Sequence, residues 1–151
     1  MLPDTTVVKT VLTGVAQVEV TATSLGVVVR VPHEDTAAVL SALKSSDLGF
    51  VMLVDLLGTD TDEDVELTYH LRSFARDEEL YVKCSLPYDG VLHSVWNVYA
   101  SALLPERETA ELFGLTLAGH PNPARLLTTD GEEPLLRRSV PIRTLKEVRD
   151  R

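Results

Sequence analysis

The chain has 151 residues, enough for one domain with a substantial core. Apolar residues make up 44% and charged residues 25%, the balance of an ordinary globular chain. A net charge of −9 argues against free nucleic acid or an anionic membrane surface as partner, and a single cysteine, Cys84, excludes a disulfide framework or an iron–sulfur cluster ligated by this chain alone.

No apolar run reaches the roughly 18 residues of a membrane-spanning helix, so no direct membrane insertion is expected. Met1-Leu2-Pro3-Asp4 lacks a basic region followed by an apolar block, so no secretory signal is expected, and a cytoplasmic location is the default.

Residues 7–20 are rich in Val and Thr, and Gln17 to Ala22 alternate polar and apolar with the period of a half-buried strand. Ser24-Leu25-Gly26 reads as a turn, and Val27 to Val31 as a second strand that can close a hairpin. After Pro32, the residues His33, Glu34 and Asp35 start a helix with an apolar stripe of Val39, Leu40 and Leu43, ended by Ser45-Ser46-Asp47. Phe50 to Leu57 is the most apolar run and reads as a buried strand, with a turn over Gly58 to Asp62. Val65 to Leu71 alternates as a strand with one wet face, and Leu80 to Leu86 is its hairpin partner across a charged loop. Pro87 to Gly90 is a turn, and Val95 to Leu104 leads into the next helix.

Residues 105–127 organise the chain. Pro105 is a favourable first helical residue because it has no N–H to leave unpaired. Glu106, Glu108 and Glu111 lie toward the positive end of the helix dipole, and Gly114 stands where a left-handed cap stops the helix. A short apolar run and a rigid turn, Gly119-His120-Pro121-Asn122-Pro123, follow. Beyond it, Pro134 and Pro141 forbid long regular elements, and Arg125, Arg137, Arg138, Arg143, Lys146, Arg149 and Arg151 make the tail basic. The whole reads as a single two-layer α+β domain with helices on a mostly antiparallel sheet. Its compact part is residues 1–120, and 121–151 form an irregular basic strap of the same domain.

Glu108 and Glu111 share a helix face at i, i+3. Such a pair serves acid–base or metal chemistry, or more simply compensates the dipole and pairs with arginine. A stand-alone acid–base enzyme would use Glu108, Glu111 and His120 together in one pocket. Arg107, between two acids, suits a fixed ion pair with another element or chain. His120 is placed to pin its loop by hydrogen bonds, because no Cys or His stands at ligand spacing from it. Cys84 reads as a small buried apolar residue, and Asp55, Asp60, Asp62, Glu63 and Asp64 as a solvated acidic turn. There is no P-loop, no G-x-G-x-x-G and no G-x-S-x-G, so a binding or structural role is expected over catalysis.

Glu106-Arg107-Glu108-Thr109-Ala110-Glu111-Leu112-Phe113-Gly114, followed by His120-Pro121-Asn122, resembles the pattern E-R-E-x-x-D-L-F-G and G-H-P-N of the peripheral-arm 30 kDa (C-type) subunit of respiratory complex I. Met52-Leu53-Val54-Asp55, Tyr69-His70-Leu71, Tyr99-Ala100-Ser101-Ala102 and Leu136-Arg137-Arg138 with Pro141 resemble further segments of that family, in its order. The departures are Leu104 in place of a tryptophan, Ala124-Arg125 in place of two basic residues, and Ser139-Val140 in place of an Asp-Tyr pair. Such departures leave room for a subunit of an energy-converting nickel–iron hydrogenase or another relative. The resemblance implies an α+β structural subunit without catalytic residues, cofactor or metal of its own. NADH, flavin, iron–sulfur clusters and quinone would belong to partner subunits during electron transfer coupled to proton translocation. Its partners would be the large quinone-site (or nickel–iron) redox subunit and the iron–sulfur subunits of the hydrophilic arm, at the inner face of the cell membrane. Glu106, Arg107, Glu108, Glu111, His120, Pro121, Arg125, Arg137 and Arg138 would be its structural and interface residues.

Overall fold

The computed structural model describes residues 1–129, 131 and 133–142; the basic positions Arg143, Lys146, Arg149 and Arg151 lie outside them. The chain opens with a helix, α1 (Thr5–Leu12), which the β-branched composition does not advertise. Asp4 starts it, its side chain accepting the Thr6 N–H at 2.8 Å, and Val8 and Leu12, one turn apart, are fully buried. Strands β1 (Glu19–Thr23) and β2 (Gly26–Arg30) form the expected hairpin. A 3₁₀ turn, His33–Asp35, leads into α2 (Thr36–Ser45), which buries Val39, Leu40 and Leu43. The strands β3 (Met52–Asp60), β4 (Val65–Ser73) and β5 (Glu78–Leu86) follow as an antiparallel meander.

The sheet order is β1-β2-β5-β4-β3, and the β2–β5 seam alone is parallel. Register puts Val27, Leu80, Leu71 and Leu53 in one row across the sheet, all 2% exposed or less. That row belongs to one apolar face, which the helices cover to make a single core. Burying each such side chain contributes about 1.5–3 kcal/mol. The opposite face is polar. Glu66 there receives Arg30 at 2.9 Å and Lys83 at 2.6 Å, and Glu79 receives Arg72 and His70.

One strand differs from its sequence reading. Phe50 to Leu57 was expected as a buried strand, but β3 is an edge strand, and Met52, Val54 and Leu57 are 40%, 41% and 52% exposed. A bulge between Leu53 and Asp55 breaks the alternation, so only Leu53 and Leu56 of the strand's apolar residues point firmly into the core. The strand also continues through Gly58 to Asp60, where a turn was expected. It needs glycine at 58, since a Cβ there would lie 2.5 Å from the Phe113 ring.

The helix α3 (Leu103–Phe113) begins two residues before Pro105, so the proline is its third residue, still inside the turn that lacks intrahelical N–H partners. Gly114 ends it at φ 71° in the left-handed region, as the glycine's position predicted. Two short strands absent from the sequence reading, β6 (Val91–His93) and β7 (Thr116–Ala118), pair in parallel beside α3. They hold Ser94 and Val95 over its first turns, with the Ser94 N–H donating to Ala118 at 2.8 Å. From residue 119 to 142 the described chain contains no helix or strand.

Candidate functional site

The site is the side of α3 against which the chain from 120 onward lies. Three ties, one helical turn apart, hold it. His120 Nε2–H donates to the Leu103 carbonyl at 2.8 Å. Arg107 donates to the carbonyls of Ala124 at 2.7 Å and Arg125 at 3.0 Å. Glu111 accepts from the N–H groups of Leu126 at 2.6 Å, Leu127 at 3.1 Å and Thr128, and from the Thr128 hydroxyl. Positions 103, 107 and 111 lie on one stripe of the helix. Because 120, 124 and 127 follow in the same order, the strap runs alongside α3 in the helix's own direction. Among the described residues it has no internal hydrogen-bond ladder, and side chains of α3 satisfy part of its main chain instead.

Glu106 is fully buried on the next stripe. It accepts from the Val95 N–H at 2.7 Å and from the Ser94 hydroxyl, and its Oε2 lies 4.0 Å from His120 Nε2. Burial holds its carboxyl above the ordinary value, against the pull of Ser94, Val95 and His120. Both His120 nitrogens are engaged, because Nδ1 accepts the Asn122 N–H at 2.9 Å. Nε2 donates and Nδ1 accepts, so neither nitrogen has a lone pair left for a metal ion.

Glu111 is the opposite case. Burial pushes its carboxyl up, but the Thr128 hydroxyl and the three strap N–H groups overcome that and bring it down to about 2. Its side chain is 2% exposed, with Arg125 Nη1 at 4.0 Å. Arg125 also donates to the Thr128 hydroxyl.

A second set of ties closes the C-terminal end of α3. Arg137 donates to the carbonyls of Phe113 at 2.6 Å and Gly114 at 3.2 Å, where the negative end of the helix dipole favours a cation. It also pairs with Asp89 at 3.0 Å and stacks on Tyr88, 4.9 Å from the ring centre. The Arg138 N–H donates to Asp60 at 2.7 Å, and its guanidinium pairs with Asp62. The Leu136 N–H reaches the Leu112 carbonyl at 3.0 Å.

The structure thus gives Glu106, Arg107, Glu111, His120, Arg125, Arg137 and Arg138 partners inside the chain. Arg107 meets carbonyl oxygens rather than the carboxylate of an ion pair, because its fork reaches consecutive main-chain acceptors on the strap. Pro121 is exposed at the turn, and Glu108 is exposed with no hydrogen bond or ion pair among the described residues. Glu108, Glu111 and His120 are not brought together: Glu111 faces the strap amides and His120 faces Leu103 and Glu106. Asp60 is not in a solvated turn. It is 5% exposed, accepts the Tyr88 hydroxyl and the Asp62 and Arg138 N–H groups, and is lowered by them, Tyr88 foremost. Sequence reasoning also missed Tyr88 and Thr128, whose hydroxyls carry no pattern of their own. Trp96, which donates to Gly119 at 3.0 Å, was missed too.

The profile of the respiratory-chain NADH dehydrogenase 30 Kd subunit family matches residues 29–146. The C-type subunit of the NADH-quinone oxidoreductase of Phenylobacterium zucineum is 36% identical over 71% of this chain, and that of Rhodospirillum rubrum 34% identical over 91%. The aligned part spans 53% of the first relative's length and 66% of the second's. A chain in the solved structure of the membrane-bound sulfane sulfur reductase (MBS), an archaeal respiratory membrane complex, shares the fold. Its TM-score is 0.77 at 22% identity, over 96% of this chain and 88% of that one. The protein therefore belongs to the family of the respiratory-chain NADH dehydrogenase 30 kDa subunit.

Proposed function

We propose that this chain is a non-catalytic structural subunit of the hydrophilic arm of a membrane-associated NADH:quinone oxidoreductase. It supports the large quinone-site subunit, while its partners bring NADH, flavin, iron–sulfur clusters and quinone to electron transfer coupled to proton translocation. The observation that carries this reading is the use made of α3. Arg107, Glu111 and His120 are all spent on fixing the main chain of 120–128. Chemistry would need those groups free and convergent, whereas here they shape a surface. No helix among the described residues is long and apolar enough to cross a membrane, and in this reading the chain is attached at the cytoplasmic face through its partner subunits.

A second reading is the equivalent subunit of an energy-converting hydrogenase or another complex I-like oxidoreductase. The departures at Leu104, Ala124 and Ser139-Val140 and the fold shared with the MBS chain favour keeping it. Purification of the tagged chain from its native cells tests both. The proposal expects a large redox subunit to co-purify, and quinone reduction by NADH to fall when the chain is deleted. Flavin and NADH oxidation in the purified assembly mark the first reading, nickel the second. A chain recovered alone and monodisperse, with no redox subunit attached, overturns both.

A further inference from the structure

Glu108 is the acid of the α3 pattern that the fold does not use. Glu106 and Glu111 have their carboxylates filled by the chain's own donors. Glu108 is exposed and makes no hydrogen bond or ion pair among the described residues. It sits in the second turn of α3, beyond the first turn in which the helix dipole rewards an acid. Dipole compensation therefore gives little reason for a carboxylate there.

An exposed leucine shares its stripe of the helix. Leu104, one turn earlier on the same stripe, is 58% exposed. This stripe borders the one that carries the strap ties and lies away from the buried stripe of Glu106, Ala110 and Phe113. The strap in turn carries Leu126 and Leu127, 39% and 60% exposed, whose main-chain N–H groups donate to the Glu111 carboxylate. The main chain under these leucines is already bonded: Arg107 takes the 124 and 125 carbonyls, and Glu111 the 126–128 N–H groups. Covering this surface therefore strands few backbone groups and orders little chain, two of the usual costs of association. The group that covering would leave uncompensated is the Glu108 carboxylate, and a desolvated carboxylate needs a cation opposite it.

We propose that Leu104, Leu126, Leu127 and Glu108 form a docking patch for an apolar surface of the partner redox subunit, with an arginine or lysine of that subunit paired to Glu108. Arginine suits the position better, since its guanidinium is the more weakly hydrated cation and binds a carboxylate through two parallel bonds. The inference rests on the subunit role proposed above, and adds which residues make the contact and what chemistry meets them.

The test co-expresses the tagged chain with the other subunits of its complex and compares wild type with Glu108→Arg, Glu108→Gln and Leu127→Asp. Mass spectrometry identifies the co-purified large redox subunit, and the melting temperature of each isolated chain is measured beside it. Glu108→Arg is expected to weaken association about tenfold or more, Glu108→Gln less, with a shallower salt dependence, and Leu127→Asp to weaken it as well. The isolated variants are expected to melt with the wild type. Wild-type assembly that Glu108→Arg leaves intact overturns this inference alone. A lowered melting temperature for Glu108→Gln also overturns it, by placing the cation within the chain. A wild-type chain that brings down no redox subunit overturns the subunit role itself.

Discussion

Glu106 and Glu111 are both almost wholly enclosed, yet they titrate in opposite directions. Glu106 lies deeper in the protein than Glu111, and the two carboxylates face different numbers of donors. Glu106 has a hydroxyl and one N–H, too few to offset its burial. Glu111 has three N–H groups and a hydroxyl. A carboxyl lowered in the folded state contributes stability that is fully present above its ordinary value of 4.5 and is lost as pH falls through about 2. Glu111→Gln is therefore expected to lower stability at neutral pH by about 1–3 kcal/mol, because an amide cannot accept from all four donors. It is also expected to flatten the acid limb between pH 4.5 and about 2, and urea titrations across that range read both effects. The residues of this site were visible in the sequence as a pattern. Their partners were not, because a main-chain N–H at 126, 127 or 128 looks the same whatever side chain it carries.

At the scale of elements, α3 reaches the sheet through one close approach. Phe113 lies on Gly58 of the edge strand β3, and a methyl group at 58 would overlap the ring at 2.5 Å. Gly58→Ala is expected to cost about 1–3 kcal/mol by pushing α3 off the sheet. Thermal melting measures the loss, and hydrogen exchange at residues 124–128 is expected to quicken with it, since α3 carries the strap. Strands with strict alternation, such as β4 and β5, were legible because each buries one face. The β3 run misled because its apolar count is high while a bulge and an edge position leave half of it wet. The helix α1 misled in the other direction. Its threonines and valines favour strands, and the Asp4 cap with the buried Val8–Leu12 pair decides for helix. The pair β6–β7 is three residues long on each side, too short for any period to show.

For the whole molecule, the α+β class followed from alternating runs interrupted by one clear helix and one capped helix. The strand order did not, because nothing in the local pattern of β2 says that its second neighbour is β5. That parallel seam has a kinetic consequence. Val27 pairs with Leu80 across the whole of α2, β3 and β4, whereas every other pairing in the five-stranded sheet closes a short loop. The β3–β4–β5 meander can nucleate by itself, and the N-terminal hairpin must then find the exposed edge of β5 at a much larger loop-closure cost. Transition-state φ-values are expected to be high for core changes in the meander, such as Leu67→Ala, and near zero for Val27→Ala and Val29→Ala. The reverse ranking in refolding experiments would show that the seam forms first. If the meander leads, a nascent chain carries its N-terminal hairpin undocked until β5 has been made, and the sheet closes from its C-terminal strands toward its N-terminal ones.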